Sequence, residues 1–185
     1  MTTMDQQKSM GWGRLAGMVL VSTVVMFVLM YQLVYSSDHV YFSLNRFLSA
    51  LIMGGVMTSI MLGFMWDMYH PHAIKVGVLW GGIAVAAILL ALNRTQALVD
   101  DTAFMSAMIP HHSIAINNAR KAKISDPRVR KLADGIIAGQ VREIEVMKIL
   151  IADINRHGSH GSSPLPAIPA VVTPGMSAEI AQSVQ

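Results

Sequence analysis

The chain has 185 residues, of which 53% are hydrophobic and only 14% charged; its mean hydropathy is +0.47. A soluble domain sits nearer a quarter charged, so a single soluble globule and a chain disordered throughout are both excluded. The formal charge of +3, spread along the sequence, leaves no footprint for nucleic acid. With no cysteine, there are no disulfides, thiolate zinc sites, iron–sulfur clusters or cysteine nucleophiles.

The apolar residues fall into three runs. Leu15 to Tyr35 carries no charge and is long enough to cross a hydrocarbon core at 1.5 Å per residue. Phe47 to Trp66 is a second such run and Val76 to Leu92 a third. Aromatic residues suited to a membrane interface flank them: Trp12, Tyr31, Tyr35, Tyr41, Phe42, Trp66 and Tyr69. The first run is too long for a cleaved signal peptide, and no small-residue cleavage pattern follows it, so it reads as a retained signal-anchor. Counting Lys8, Arg14 and Lys75 against Arg46 and Arg94 puts the N-terminus inside and the C-terminal half outside. In a bacterium that is an inner-membrane protein with its C-terminal half in the periplasm.

Residues 1–14 then form an N-terminal segment and 15–92 a three-helix membrane domain. From 93 to 156 the pattern becomes water-soluble and helical. Thr95 or the Asp100–Asp101 pair starts a helix, on which Phe104, Met105, Met108, Ala115 and Ile116 recur at helical spacing. Arg120, Lys121 and Lys123 suit its C-terminus. Asp126 as N-cap and Pro127 at the first position open a second helix running to about Ile154. Its apolar seam is Val129, Leu132, Ala133, Ile136, Gln140, Ile144, Met147 and Ile151. The two helices form an αα-hairpin. Residues 157–185, with Pro164, Pro166, Pro169 and Pro174 among Gly and Ser, predict a flexible tail.

The chemistry gathers on the first hairpin helix. At about 100° per residue, Met105, Met108 and His112 fall within roughly 60° of one another, and His111 lies about 60° to the other side of Met108. Two thioethers and an imidazole make a soft-donor set that favours monovalent copper, or the chemically similar silver(I). Gln140, Glu143, Ile144 and Met147 share a face of the second helix, so Met147 offers a third sulfur across the hairpin. Pro110 inside the first helix would free one carbonyl and bend the chain beside the histidines; the plainer alternative starts a new helix there. Against the metal stands ordinary packing, since methionine fills irregular gaps in cores.

In the membrane domain Met53, Met57, Met61 and Met65 repeat every four residues, Met68 follows, and then His70 and His72. Packing is the stronger reading of that stripe, with passage of a soft cation the sharper one. Gly77 and Gly81 form a small-xxx-small pair suited to helix contact. The basic cluster Arg120, Lys121, Lys123, Arg128, Arg130 and Lys131 reads as a solvated turn with dipole compensation, and contact with anionic lipid is the weaker alternative.

The stretch Met108-Ile-Pro-His-His112 with Ala115-Ile116, the Asp126-Pro127-x-Val129-Arg130 helix start and Gln140-x-x-Glu143-Ile144-x-x-Met147 together resemble the family catalogued as domain of unknown function 305. The resemblance covers about Asp100 to Ile154, and Met65-Trp66-x-Met68-Tyr69 is similar to its membrane-anchored branch. It implies a ferritin-like helical bundle, usually exported, some members of which bind copper through methionine and histidine. By that resemblance the ligands are Met105, Met108, His111, His112 and Met147, with Asp101, Gln140 and Glu143 as helpers. Where many members carry a further methionine this chain has Asn118, and it holds one hairpin where larger members repeat the pair.

Two helices bury little apolar surface alone, which predicts a homodimer or higher homo-oligomer completing a four-helix bundle, with Gly135 and Gly139 allowing close approach. The fold class expected is all-α. The function expected is a membrane-anchored copper (or silver) binding protein of the cell envelope, for sequestration or delivery. The alternative is a structural or assembly module whose methionines and histidines pack and cap. An enzyme is not expected: a di-iron centre needs Glu-x-x-His pairs, none of which occurs, and no nucleophile elbow or phosphate loop is present. The partners expected are the lipid bilayer and a second copy of the chain, not nucleic acid.

Overall fold

A computed structural model describes residues 11–183, in which every regular element is helical. Lys8, one of the charges used for orientation, lies outside that range. Helices α1 (Trp12–Leu29), α2 (Leu44–Phe64) and α3 (His72–Thr95) are long and apolar enough to cross a membrane. They are followed by α4 (Asp101–Lys121), α5 (Pro127–His157) and α6 (Pro174–Ser183).

The first span is shorter than the apolar run. Helix α1 stops at Leu29, and 30–43 become a linker of turns containing a short 3-10 helix, Ser37–His39. Side-chain bonds hold that linker: Ser43 donates its N–H to the Tyr31 hydroxyl at 3.0 Å, and Arg46 donates to the Met30 carbonyl. The apolar pattern could not show that Tyr31 and the residues after it serve a connection. Helix α3 runs past the predicted end at Leu92 to Thr95, so Thr95 closes this helix and starts none.

Small residues bring the membrane helices together. A Cβ at Gly55 would lie 2.9 Å from the Gly82 carbonyl, and one at Gly82 2.9 Å from that of Gly55. The predicted pair Gly77 and Gly81 has no neighbour in such a position, because those glycines lie on another face of α3. Ser59 of α2 bonds the Leu79 carbonyl of α3 at 3.1 Å, and Asn93 of α3 donates to Ser49 of α2 at 3.2 Å.

Helices α4 and α5 form the predicted hairpin. Asp100 caps α4 by accepting from Ala103 N–H at 2.7 Å, and Asp126 caps α5 by accepting from Arg128 N–H at 2.8 Å. Pro110 is buried inside an uninterrupted α4, so no new helix begins there. Helix α5 ends at Gly158, whose φ of +83° a side chain would disfavour.

The hairpin core is Met105, Ile109, Ile116, Ile144 and Met147, with Met108, Ile151 and Ile154 against it. Tyr41 of the linker packs there too, although the sequence suggested an interfacial aromatic. The upper seam departs from expectation. Ala133 is buried, but Val129, Leu132 and Ile136 are exposed, Leu132 at 65%; α4 covers a stripe of α5 too narrow to reach them. The tail is not without structure either. Thr173 accepts from Met176 N–H at 3.5 Å, and Pro174, at a first helical position, opens the ten-residue α6. Helix α6 stays exposed.

Candidate functional site

Positions 105, 108 and 112 are spaced three and four apart, so their side chains stack along one edge of α4. Facing them on α5 are Glu143, Ile144 and Met147. Met105 (6% exposed) and Met147 (8%) lie in the hairpin core, and Met108 packs against it at the margin. Three thioethers from two helices therefore share one apolar cluster. The imidazole of His112 is next along the edge, its side chain 14% exposed, with Nδ1 3.1 Å from Glu143 Oε2. That Nδ1 is buried and makes no aligned hydrogen bond.

Burial lowers the proton affinity of His112; Glu143 acts in the opposite direction and His111 adds to the lowering. A neutral imidazole keeps a lone pair available to a cation. His111 is exposed, its ring 5.9 Å from that of His112 and tilted to it. Asp101 is exposed and accepts from Ser159 Oγ at 3.1 Å. Gln140 lines an open groove with Ile136 and Gly139. Of the eight residues singled out in the sequence, the fold gathers Met105, Met108, Met147, His112 and Glu143, while His111, Asp101 and Gln140 lie outside the group. Among the described residues no three His, Asp or Glu side chains come together as a metal site. Any cation held here depends on the thioethers.

The opposite side of α4 shows what the sequence did not. Ser113 is fully buried, and its Oγ accepts from Tyr35 N–H at 2.8 Å and lies 3.0 Å from His39 Nδ1. Arg120 bonds the Tyr35 hydroxyl and covers its ring. Lys148 of α5 reaches Asp38 at 2.8 Å and Glu145 at 3.0 Å. The bonds from Lys148 and Ser36 lower the Asp38 carboxyl to about 2. The linker between the first two membrane helices is thus the third wall of the hairpin, holding α4 against α5. The available signal was Ser36-Ser37-Asp38-His39, too polar a run for a mere bilayer turn.

The family described as "Domain of unknown function (DUF305)" matches residues 66–178. The chain belongs to the DUF305 family. The match begins at the turn after α2, takes in all of α3 and extends into the tail, wider than the Asp100–Ile154 resemblance. An uncharacterized protein, L153 of Acanthamoeba polyphaga mimivirus, is 34% identical over 110 residues, covering 58% of this chain and 70% of that protein. No solved structure matches the chain.

Proposed function

We propose that this DUF305 protein is a membrane-anchored binder of a soft monovalent cation, copper(I) or silver(I), serving sequestration or delivery in the cell envelope without enzymatic chemistry. The observation that carries the reading is the shared cluster of Met105, Met108 and Met147, with the desolvated His112 one helical turn beyond Met108. Thioether and neutral imidazole donors suit copper(I) better than zinc, magnesium or calcium. Met108 and His112, at the margin of the core, are the entry donors; Met105 and Met147 stand behind them. Glu143 orients the imidazole, as carboxylates do beside metal-bound histidine. Bound copper would be held by neutral donors as cargo and would supply no reaction step.

The envelope placement rests on the charge asymmetry of the membrane segments, with the hairpin on the periplasmic side of a bacterial inner membrane. The exposed Val129, Leu132 and Ile136, beside Gly135 and Gly139, give a second copy a face on which to complete a ferritin-like four-helix bundle.

The test is anaerobic copper(I) titration of the detergent-solubilised full chain against a chromophoric chelator. Met108→Leu with His112→Ala should weaken one equivalent at least tenfold, and His111→Ala should change it far less. Unchanged affinity in the double variant would leave a packing and assembly module.

A further inference from the structure

At the end of the bundle remote from the hairpin, the chain turns from α2 to α3 through 65–71. Helix α2 is 21 residues long, so this turn lies about 32 Å from the linker. Leu15, Leu62 and Tyr69 form a buried centre, and Met18 of α1, Met61 of α2, and Met65 and Met68 of the turn all pack against it. Met61 lies in the last turn of α2, Met65 caps that helix, and Met68 ends the short 3-10 turn Trp66–Met68 that follows. Trp12 donates its indole N–H to the His70 carbonyl at 3.1 Å and lies 4.9 Å from the Tyr69 ring, which ties the start of α1, and with it Met18, to this turn. The exposed His70 and His72 flank the cluster, His72 edge-on to Trp66 at 5.6 Å.

Tyr69 is 0% exposed, and its hydroxyl has no partner among the described residues. A buried hydroxyl with none calls for an explanation. Nearby, Lys75 bonds the Trp66 carbonyl at 2.9 Å and lies over the Trp66 ring.

We propose that this turn is a second soft-cation site, in which the thioethers of Met18, Met61, Met65 and Met68 receive copper(I) or silver(I) through His70 and His72. Neutral sulfur donors from three segments suit a monovalent ion. The ion or its accompanying water supplies the Tyr69 hydroxyl with the contact it lacks. The hairpin and this turn share no residue, so the two sites are separable by experiment.

The full chain in lipid nanodiscs, labelled with 13C at the methionine methyls, is titrated with silver(I). The methyl signals of Met18, Met61, Met65 and Met68 should shift together with the first equivalents, and Met61→Leu/Met65→Leu/Met68→Leu should lower the stoichiometry by one. Met108→Leu/His112→Ala should leave the turn signals shifting as before while the hairpin signals stop. Turn methyls of the unmodified protein that stay fixed at two equivalents of silver would overturn the proposal, whether or not the triple variant folds. So would a folded triple variant of unchanged stoichiometry.

Discussion

The membrane bundle and the hairpin bring helices together by different means. In the bundle, α2 and α3 meet at Gly55 and Gly82, with backbone against backbone and hydroxyl and amide bonds beside them. In the hairpin, α4 and α5 meet through Ile109, Ile116, Ile144 and methionines. Lipid tails are as apolar as leucine, so burying leucine between membrane helices gains little, and close approach and polar bonds take over. In water the same burial contributes about 25 cal/mol per Å². A large side chain is therefore the asset in one half of the molecule and the obstacle in the other.

The sharpest way to break that comparison is to remove bulk from the hairpin. Ile109→Ala, at a fully buried position, should cost about 2–5 kcal/mol, whereas Ile149→Ala, at an exposed position of α5, should stay within about 0.5 kcal/mol. Denaturant unfolding followed by circular dichroism in micelles reads both. Equal losses would mean that α5 carries its burial on the other face.

Adding bulk should do the reverse in the bundle. Gly55→Leu drives a side chain into the Gly82 backbone and should cost about 1–3 kcal/mol or more, while Gly81→Leu meets open space and should be tolerated. Thermal unfolding of the two variants in one detergent separates them. Similar melting would disprove the proposed contact.

The smallest effect lies where the two halves join. Lys148→Ala removes an exposed pairing with Asp38, worth about 0.2–1 kcal/mol. Because the Asp38 carboxyl is lowered from 3.8 to about 2, its contribution is present above pH 4 and is lost as pH falls from about 4 towards 2. The Lys148→Ala chain should lack most of that acid dependence. A pH titration of both proteins by amide NMR checks it, and identical profiles would place the acid-sensitive contact elsewhere.

How much of this was legible in the sequence follows the same division. Asp100, Asp126 and Pro127 act locally, through bonds a few residues away, so the helix starts could be read directly. The lower seam, Ile144 and Met147, also follows from period alone. Val129, Leu132 and Ile136 have the same period but lie beyond the reach of α4, which no periodicity records. The Gly55–Gly82 contact was missed because glycines within an apolar run carry no sign of which face meets a neighbour. The linker wall was missed for a different reason. Tyr35, Asp38 and His39 meet Ser113 and Lys148 across more than seventy residues, Tyr41 packs on the hairpin core, and aromatic residues at the end of an apolar run fit a lipid interface equally well. For the candidate site, spacing placed Met105, Met108 and His112 on one edge and offered Met147 across the hairpin, and the resemblance added Glu143 as a helper. Only packing could show that His111 faces outward and that Asp101 is engaged by Ser159.

The most direct test is copper K-edge X-ray absorption of the full chain loaded with one equivalent of copper(I) in a Met61→Leu/Met65→Leu/Met68→Leu background, where the hairpin alone can respond. Sulfur scatterers together with a single imidazole, with the imidazole signal lost on His112→Ala and retained on His111→Ala, are the expected result. A shell of oxygen and nitrogen only, or a spectrum indifferent to His112, would contradict the soft-donor edge on α4.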